Sequence, residues 1–173
     1  PYLYESVSEP AKIREAQYIA THALAHAGIV STNDLVPEIE STCIHPSNKR
    51  TIGERLGNLS LLETYDYDTI QAQSPSFNRL EIHNDSVILF FENTYEGLQH
   101  EGVIIGFELG DSLHEFHPVF AQLGPGKNTI SIPIETGTTF RALRYCFKNY
   151  QVGNVKNSVG LPLIPFRTDF WTE

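Results

Sequence analysis

The sequence predicts an α/β chain in two unlike parts: the last strand and flanking helices of a doubly wound layer, then an antiparallel β-sandwich domain. Three observations carry this. Within residues 1–66, apolar residues recur at helical spacing on both sides of a short β-branched run. A polar, proline-punctuated stretch, Gln71-Ala72-Gln73-Ser74-Pro75, then interrupts the pattern. Beyond it, short apolar runs alternate with turn signals, the mark of strands. The parts are read as 1–73 and 74–173, with the tail packing back.

Taken in order, Ser8-Glu9-Pro10 reads as a helix start, with Ser8 the cap and the proline tolerated in the first turn. Ile13, Ala16, Ala20, Ala23 and Ala27 then form an apolar stripe that Gly28 ends, a helix of about five turns. Its alanine face suits close packing on a sheet. His22 and His26, near its carboxyl end, read as solvated residues where a cation is favoured. Ile29-Val30-Ser31-Thr32 fits one buried strand of a parallel sheet. One strand is not a sheet, so residues 1–66 are expected to dock on further polypeptide, upstream or separate.

The stretch from Cys43 to Leu56 organises this part. Pro46 disfavours helical geometry at His45 and donates no backbone hydrogen bond, so His45 ends a loop. Ser47 then offers a cap to a new helix, with Ile52, Leu56, Leu59 and Leu62 at helical spacing behind it. Loops held by a packed helix after a strand are where α/β enzymes place a general base. Past the connector, strands are expected over 78–82, 86–91, 103–109, 116–122, 129–134 and 140–147. Asn84-Asp85, Gly110-Asp111 and Gly124-Pro125-Gly126 supply turns between them. The segment from Val159 to Trp171 is apolar, contains Pro162 and Pro165, and reads as an irregular run over another surface.

Bulk properties exclude several classes. A formal charge of −9, with only twelve Lys and Arg, argues against a nucleic-acid surface. No apolar run is long enough to cross a bilayer, so the chain reads as soluble and globular, with no membrane partner. Two cysteines, Cys43 and Cys146, lie far apart without paired spacing and indicate neither a metal knuckle nor a disulfide framework. His114, Glu115 and His117 do not make a metal site at strand spacing, because residues 114 and 117 face opposite sides and no third ligand is evident. No metal or cofactor is expected. The chain opens on Pro1 and contains no methionine, so it is not expected to be an intact translation product.

Several blocks occur in a recognisable order: Cys43-Ile44-His45-Pro46 with Lys49 and Gly53-Glu54-Arg55-Leu56, Leu89-Phe90-Phe91-Glu92-Asn93 with Gly97-Leu98, Gly106-Phe107-Glu108, Leu143-Arg144-Tyr145, and Gly160 to Asp169. Upstream, Arg14-Glu15-Ala16-Gln17 and Asn33-Asp34-Leu35 fit as well. Together they resemble the carboxyl-terminal portion of the sialate O-acetylesterases, SGNH-type serine esterases that act on carbohydrates. The resemblance implies that the α/β part is the last strand and flanking helices of an SGNH-type doubly wound layer. It implies hydrolysis of O-acetyl esters, with sialic acid the first substrate considered, and a secreted or periplasmic location.

The resemblance assigns His45 the role of base to a serine hydroxyl. The family's serine sits near the amino end of the enzyme, and none of Ser31, Ser41 and Ser47 matches its block. The nucleophile and the oxyanion donors are therefore expected from an amino-terminal portion of the same enzyme, possessed of its own Gly-x-Ser block. One departure matters. Where the family block carries aspartate two residues before the histidine, this chain has Cys43, a weak hydrogen-bond partner. Three outcomes follow: Glu40 or another nearby carboxylate orients the ring, a backbone carbonyl does, or the protein is a poor catalyst. Glu40 is the candidate orienting acid.

Arg141, Arg144 and Arg167 could meet an acidic sugar, although pairing with some of the 21 carboxylates is the simpler expectation. Tyr145, Phe147, Tyr150 and Trp171 invite sugar stacking, yet strand aromatics usually fill cores. The rival function is a non-catalytic glycan- or partner-binding β-sandwich module whose esterase loop is relict, and Cys43 favours it.

Overall fold

The computed structural model describes residues 1–3, 9–83, 85–135 and 140–171, so the expected cap Ser8 and turn residue Asn84 lie outside the described residues. Two α-helices, α1 (Glu9–Ala23) and α2 (Lys49–Tyr65), precede a β-rich remainder. No described helix is long and apolar enough to cross a membrane.

Helix α1 stops at Ala23 rather than running on to Ala27. Residues 22–28 are exposed, and a helix turn without tertiary packing has little to hold it. Its orientation also departs from expectation. Ala11 is buried and Arg14, Glu15 and Tyr18 are half-buried, whereas Ile13, Ala16 and Ala20 face solvent. The partners available within the chain explain the choice, because they are polar. Arg14 donates through Nη2 to the carbonyls of Lys148 (2.6 Å) and Cys146 (3.4 Å), and through Nη1 to that of Asn149 (3.4 Å). Glu15 accepts two hydrogen bonds from Arg167, at 2.8 and 2.7 Å. A bidentate pair of this kind fixes geometry as well as charge.

Ile29–Thr32, expected to be a strand, belongs to no β-ladder among the described residues. A strand is defined by its neighbour, and the described chain places none beside this segment. Helix α2 is capped by Asn48, whose side chain accepts from the Thr51 N–H at 3.1 Å, and not by Ser47. Ser47 is otherwise engaged, as shown below. Of α2 only Arg55 and Leu59 are buried; Leu56 of the expected stripe is 48% exposed. Gly28 lets the helix approach, since a Cβ there would lie 2.7 Å from Leu59 Cδ2. The helix ends at Asp66, which adopts the left-handed conformation with φ 57°.

The remainder forms β1 (Ser76–Ile82), β2 (Ser86–Glu92), β3 (Leu98–Gln99), β4 (Phe107–Gly110), β5 (Phe116–Pro118), β6 (Gln122–Leu123), β7 (Thr129–Pro133), β8 (Ala142–Tyr145), β9 (Lys156–Asn157) and β10 (Phe166–Arg167). One four-stranded sheet has the order β1-β2-β7-β6, a second β10-β8-β4-β5, and β3 and β9 make a separate ribbon. All pairings are antiparallel. Alternation along β2 and β7 turns Val87, Leu89, Phe91, Ile130 and Ile132 inward, against Phe107, Leu143 and Tyr145 of the second sheet. Each such side chain stabilises the fold by about 1.5–3 kcal/mol relative to exposure.

The run expected as one strand over 116–122 is divided between the two sheets: β5 pairs with β4, and β6 with β7. Strand β5 ends at Pro118, the Val119 N–H makes one more bond to the Phe107 carbonyl at 3.1 Å, and the chain then crosses through the buried Ala121. The expected connector is equally built in. Ala72 and Ser74 are buried, the Gln73 N–H donates to Tyr95 Oη (3.0 Å), and the Gln73 carbonyl accepts from Asn157 Nδ2 (3.1 Å). The tail is less irregular than its prolines imply. Phe166 joins the β8 edge and stacks on Phe77 with centroids 4.5 Å apart.

Candidate functional site

Between α1 and α2 the chain first dives inward and then swings out. Ser31, Asn33, Leu35 and Val36 are buried, whereas most of residues 37–48 are exposed. The inner part is locked to α2. Arg55 Nη1 donates to the Ser31 carbonyl (2.6 Å) and to Asp34 Oδ1 (2.8 Å), and Nη2 donates to Asp34 Oδ2 (2.7 Å). These side chains are only 9% and 11% exposed. Tyr150 adds a hydroxyl donated to the Val36 carbonyl at 3.0 Å.

The outer part is braced by its own polar groups. A 3-10 turn over Glu38–Glu40 starts it, and the Cys43 N–H donates to the Glu40 carbonyl at 2.8 Å. The Glu40 carboxylate accepts from the Ser47 backbone N–H at 3.0 Å, across the base of the turn that carries His45. Hydrogen bonding from Ser47, its side chain first and then its N–H, holds the Glu40 carboxyl below the usual carboxylate range. Cys43 Sγ meets the His45 carbonyl at 3.2 Å, and Lys49 Nζ donates to that of Pro46. His45 is exposed. Among the described residues no side chain hydrogen-bonds its imidazole.

The candidate residues therefore sit in one loop without touching one another through the ring. Glu40 and Cys43 both grip backbone, and neither reaches the His45 imidazole. Ser41 and Ser47 flank the histidine in sequence, yet no described hydroxyl bonds to it. Two clefts of about 540 Å³ border the loop. Ile13, Arg14, Thr32, Ile44 and Pro46 line one; Asp34, Glu38, Ser47 and Tyr150 line the other. Spacing alone did not single out the Asp34–Arg55 pair, although both residues stand in blocks that carry the family resemblance.

Elsewhere, two of the three arginines weighed as sugar contacts, Arg144 and Arg167, are engaged with carboxylates, whereas Arg141 is exposed. Arg144 donates Nε and Nη2 to Asp169 at 2.9 Å each, and its guanidinium lies 3.8 Å from the Phe116 ring centroid. Arg167 holds Glu15. Tyr145 and Phe147 are buried, and Trp171 stacks on His114 at 3.8 Å, so these rings pack against the protein itself. One grouping was not anticipated. Asp111, Glu115 and His117 bring their ligand atoms within 4.8 Å of one another at the β4–β5 turn, with His117 Nε2 3.7 Å from Asp111 Oδ2. Asp111 Oδ1 there accepts the N–H groups of Leu113 and Glu115, which shapes the turn and lowers the Asp111 carboxyl pKa.

No protein-family model matches the sequence, and none of the curated proteins does. The fold does have a solved counterpart. A carbohydrate acetylesterase from Xanthomonas citri superposes with a TM-score of 0.82 at 30% sequence identity over 93% of this chain. This chain spans 36% of that one. The likeness supports a carbohydrate-esterase relation and does not single out the sialate O-acetylesterases.

Proposed function

We propose that this chain is the histidine-bearing part of an esterase that removes O-acetyl groups from carbohydrates. The observation that carries the reading is the structural likeness to a carbohydrate acetylesterase over 93% of this chain. His45 is the base. It takes the proton from a serine hydroxyl as the oxygen attacks the acetyl carbonyl, and returns a proton to the departing sugar oxygen. Water then attacks the acetyl-serine with the same imidazole as base. Glu40 serves as the orienting acid indirectly, by clamping Ser47 and so fixing the turn on which the ring stands. The serine and the oxyanion donors come from an amino-terminal portion of the enzyme. Two features support that partnership: the run Ile29–Thr32, which pairs with no strand among the described residues, and the outward apolar side of α1, where Ile13 and Ile19 are each 59% exposed. The substrate class is an acetylated sugar, with O-acetyl sialic acid the case suggested by the sequence blocks.

The test is acetate release from acetylated sugars by the assembled enzyme, with and without His45→Ala. Loss of about 10⁴-fold or more in kcat is expected, and full activity in the variant refutes the assignment. A second reading rests on Cys43 standing where the block has an acid, and on the absence of any described carboxylate at the ring. In that reading the loop is relict and the chain binds glycan or partner without turnover. Saturable binding of an acetylated sugar by an assembly that releases no acetate decides for it.

A further inference from the structure

The exposed loop bearing His45 has two fixed ends, and one buried ion pair joins them directly. At its near end, Asp34 lies between the buried residues Asn33 and Leu35. At its far end the loop runs directly into α2, whose buried side chains are Arg55 and Leu59. Leu59 packs beside Gly28 without a directed bond, whereas the guanidinium of Arg55 makes three directed hydrogen bonds to Asp34 and Ser31. Of the contacts that hold the two ends, that fork is the one that links the 31–36 segment to α2 through buried, directed bonds. Inside the loop, the braces from Glu40, Cys43 and Lys49 are exposed, and exposed pairs of this sort hold little on their own.

We propose that the Asp34–Arg55 pair is the positioning element for His45: it sets where α2 begins relative to the 31–36 segment, and through that the place of the imidazole. This rests on the esterase reading above and adds a residue pair to it. Neither residue is catalytic, since neither touches the ring. A displacement of about 1 Å in a reacting group can lower turnover roughly 10²-fold, so even a small shift of α2 is measurable.

The assembled enzyme is assayed with its active sites counted by a fluorophosphonate that labels the serine. Asp34→Asn, which leaves the Arg55 charge without a partner, is expected to reduce kcat per labelled site by roughly 10- to 100-fold, with KM changed less than about threefold. Backbone deuterium uptake across residues 35–48 is expected to rise in the same protein. Ile132→Val, a trimming of the sandwich core, controls for general destabilisation and is expected to keep kcat per site. A folded Asp34→Asn enzyme with unchanged kcat per site and unchanged uptake over 35–48 overturns the proposal. Should Asp34→Asn fail to fold, Arg55→Lys keeps the charge but loses the fork and carries the same two readouts; wild-type values in both overturn it equally. His45→Ala runs in parallel. If that variant is fully active, the assignment of His45 as base falls and the positioning role with it. If it is inactive while Asp34→Asn is unaffected, only the positioning role falls.

Discussion

Removing the Asp169 carboxylate separates two accounts of Arg144, one as a group that meets substrate and one as a fixture of the fold. Arg144 and Asp169 are 7% and 1% exposed and share two hydrogen bonds of 2.9 Å. Asp169 Oδ1 also accepts the Trp171 N–H at 3.2 Å and lies 3.8 Å from Arg167 Nη1. Asp169→Ala therefore removes two charge-assisted hydrogen bonds from a buried cation and frees a backbone donor. Breaking a buried pair from one side costs about 3–5 kcal/mol, and for a domain of this size that is roughly a 6–20 °C fall in Tm. The contact of Arg144 with the Phe116 ring survives the change and holds the loss toward the lower end. The exposed i,i+4 pair Arg50–Glu54 supplies the contrast, with Glu54→Ala expected to leave the unfolding midpoint almost unchanged. Urea unfolding followed by far-ultraviolet circular dichroism measures both. A loss below about 1 kcal/mol for Asp169→Ala, with the m-value unchanged, would show that the pair does not hold the tail to β8.

Two further predictions concern titration and reactivity. Glu40 has its folded pKa depressed by Ser47, so its brace is fully present above the ordinary carboxylate range and is lost as pH falls through the depressed value. Deuterium uptake over residues 41–48 should rise only on that acid side, and Glu40→Ala should abolish the step; a step at neutral pH would contradict the assignment. Cys146 is buried beside Tyr145 and its thiol is pushed up to about 12, chiefly by desolvation, while Cys43 is exposed. A maleimide at pH 8 should label one thiol in the folded protein and both in urea. Because the raised folded pKa favours the neutral thiol, stability should decline as pH climbs from about 9 towards 12, and Cys146→Ala should lack that component.

What the amino-acid order disclosed, and what it withheld, differs by the range of the interaction. His45-Pro46 was legible as a loop because proline acts on its immediate neighbour, and Ser86–Glu92 as a strand because alternation is local. The ordered blocks were legible too, but not their purpose. Asp34 meets Arg55, Arg144 meets Asp169, and Glu15 meets Arg167 across 21, 25 and 152 positions, and no periodicity links such partners. Hydrophobic spacing identified the side of α1 that favours burial, yet could not say whether this chain contains the surface to bury it. Polar contacts from Arg14 and Glu15 then decided which way the helix faces. Two-residue strands such as β3 and β9 are too short to leave a pattern. The Glu40–Ser47 brace spans an irregular loop, where no repeat predicts which groups will meet.

Helix α1 has an unusual schedule during synthesis. Its Arg14 is made 132 to 135 positions before the carbonyls that receive it, and Glu15 precedes Arg167 by 152. A growing polypeptide emerges at about 5–20 residues per second, so Arg14 and Glu15 spend many seconds without these partners. Isolated helices of that length are marginal in water. Docking of the Arg14 and Glu15 side of α1 thus waits until residue 167 has been made, and any arrest before it leaves that charged side without its partners.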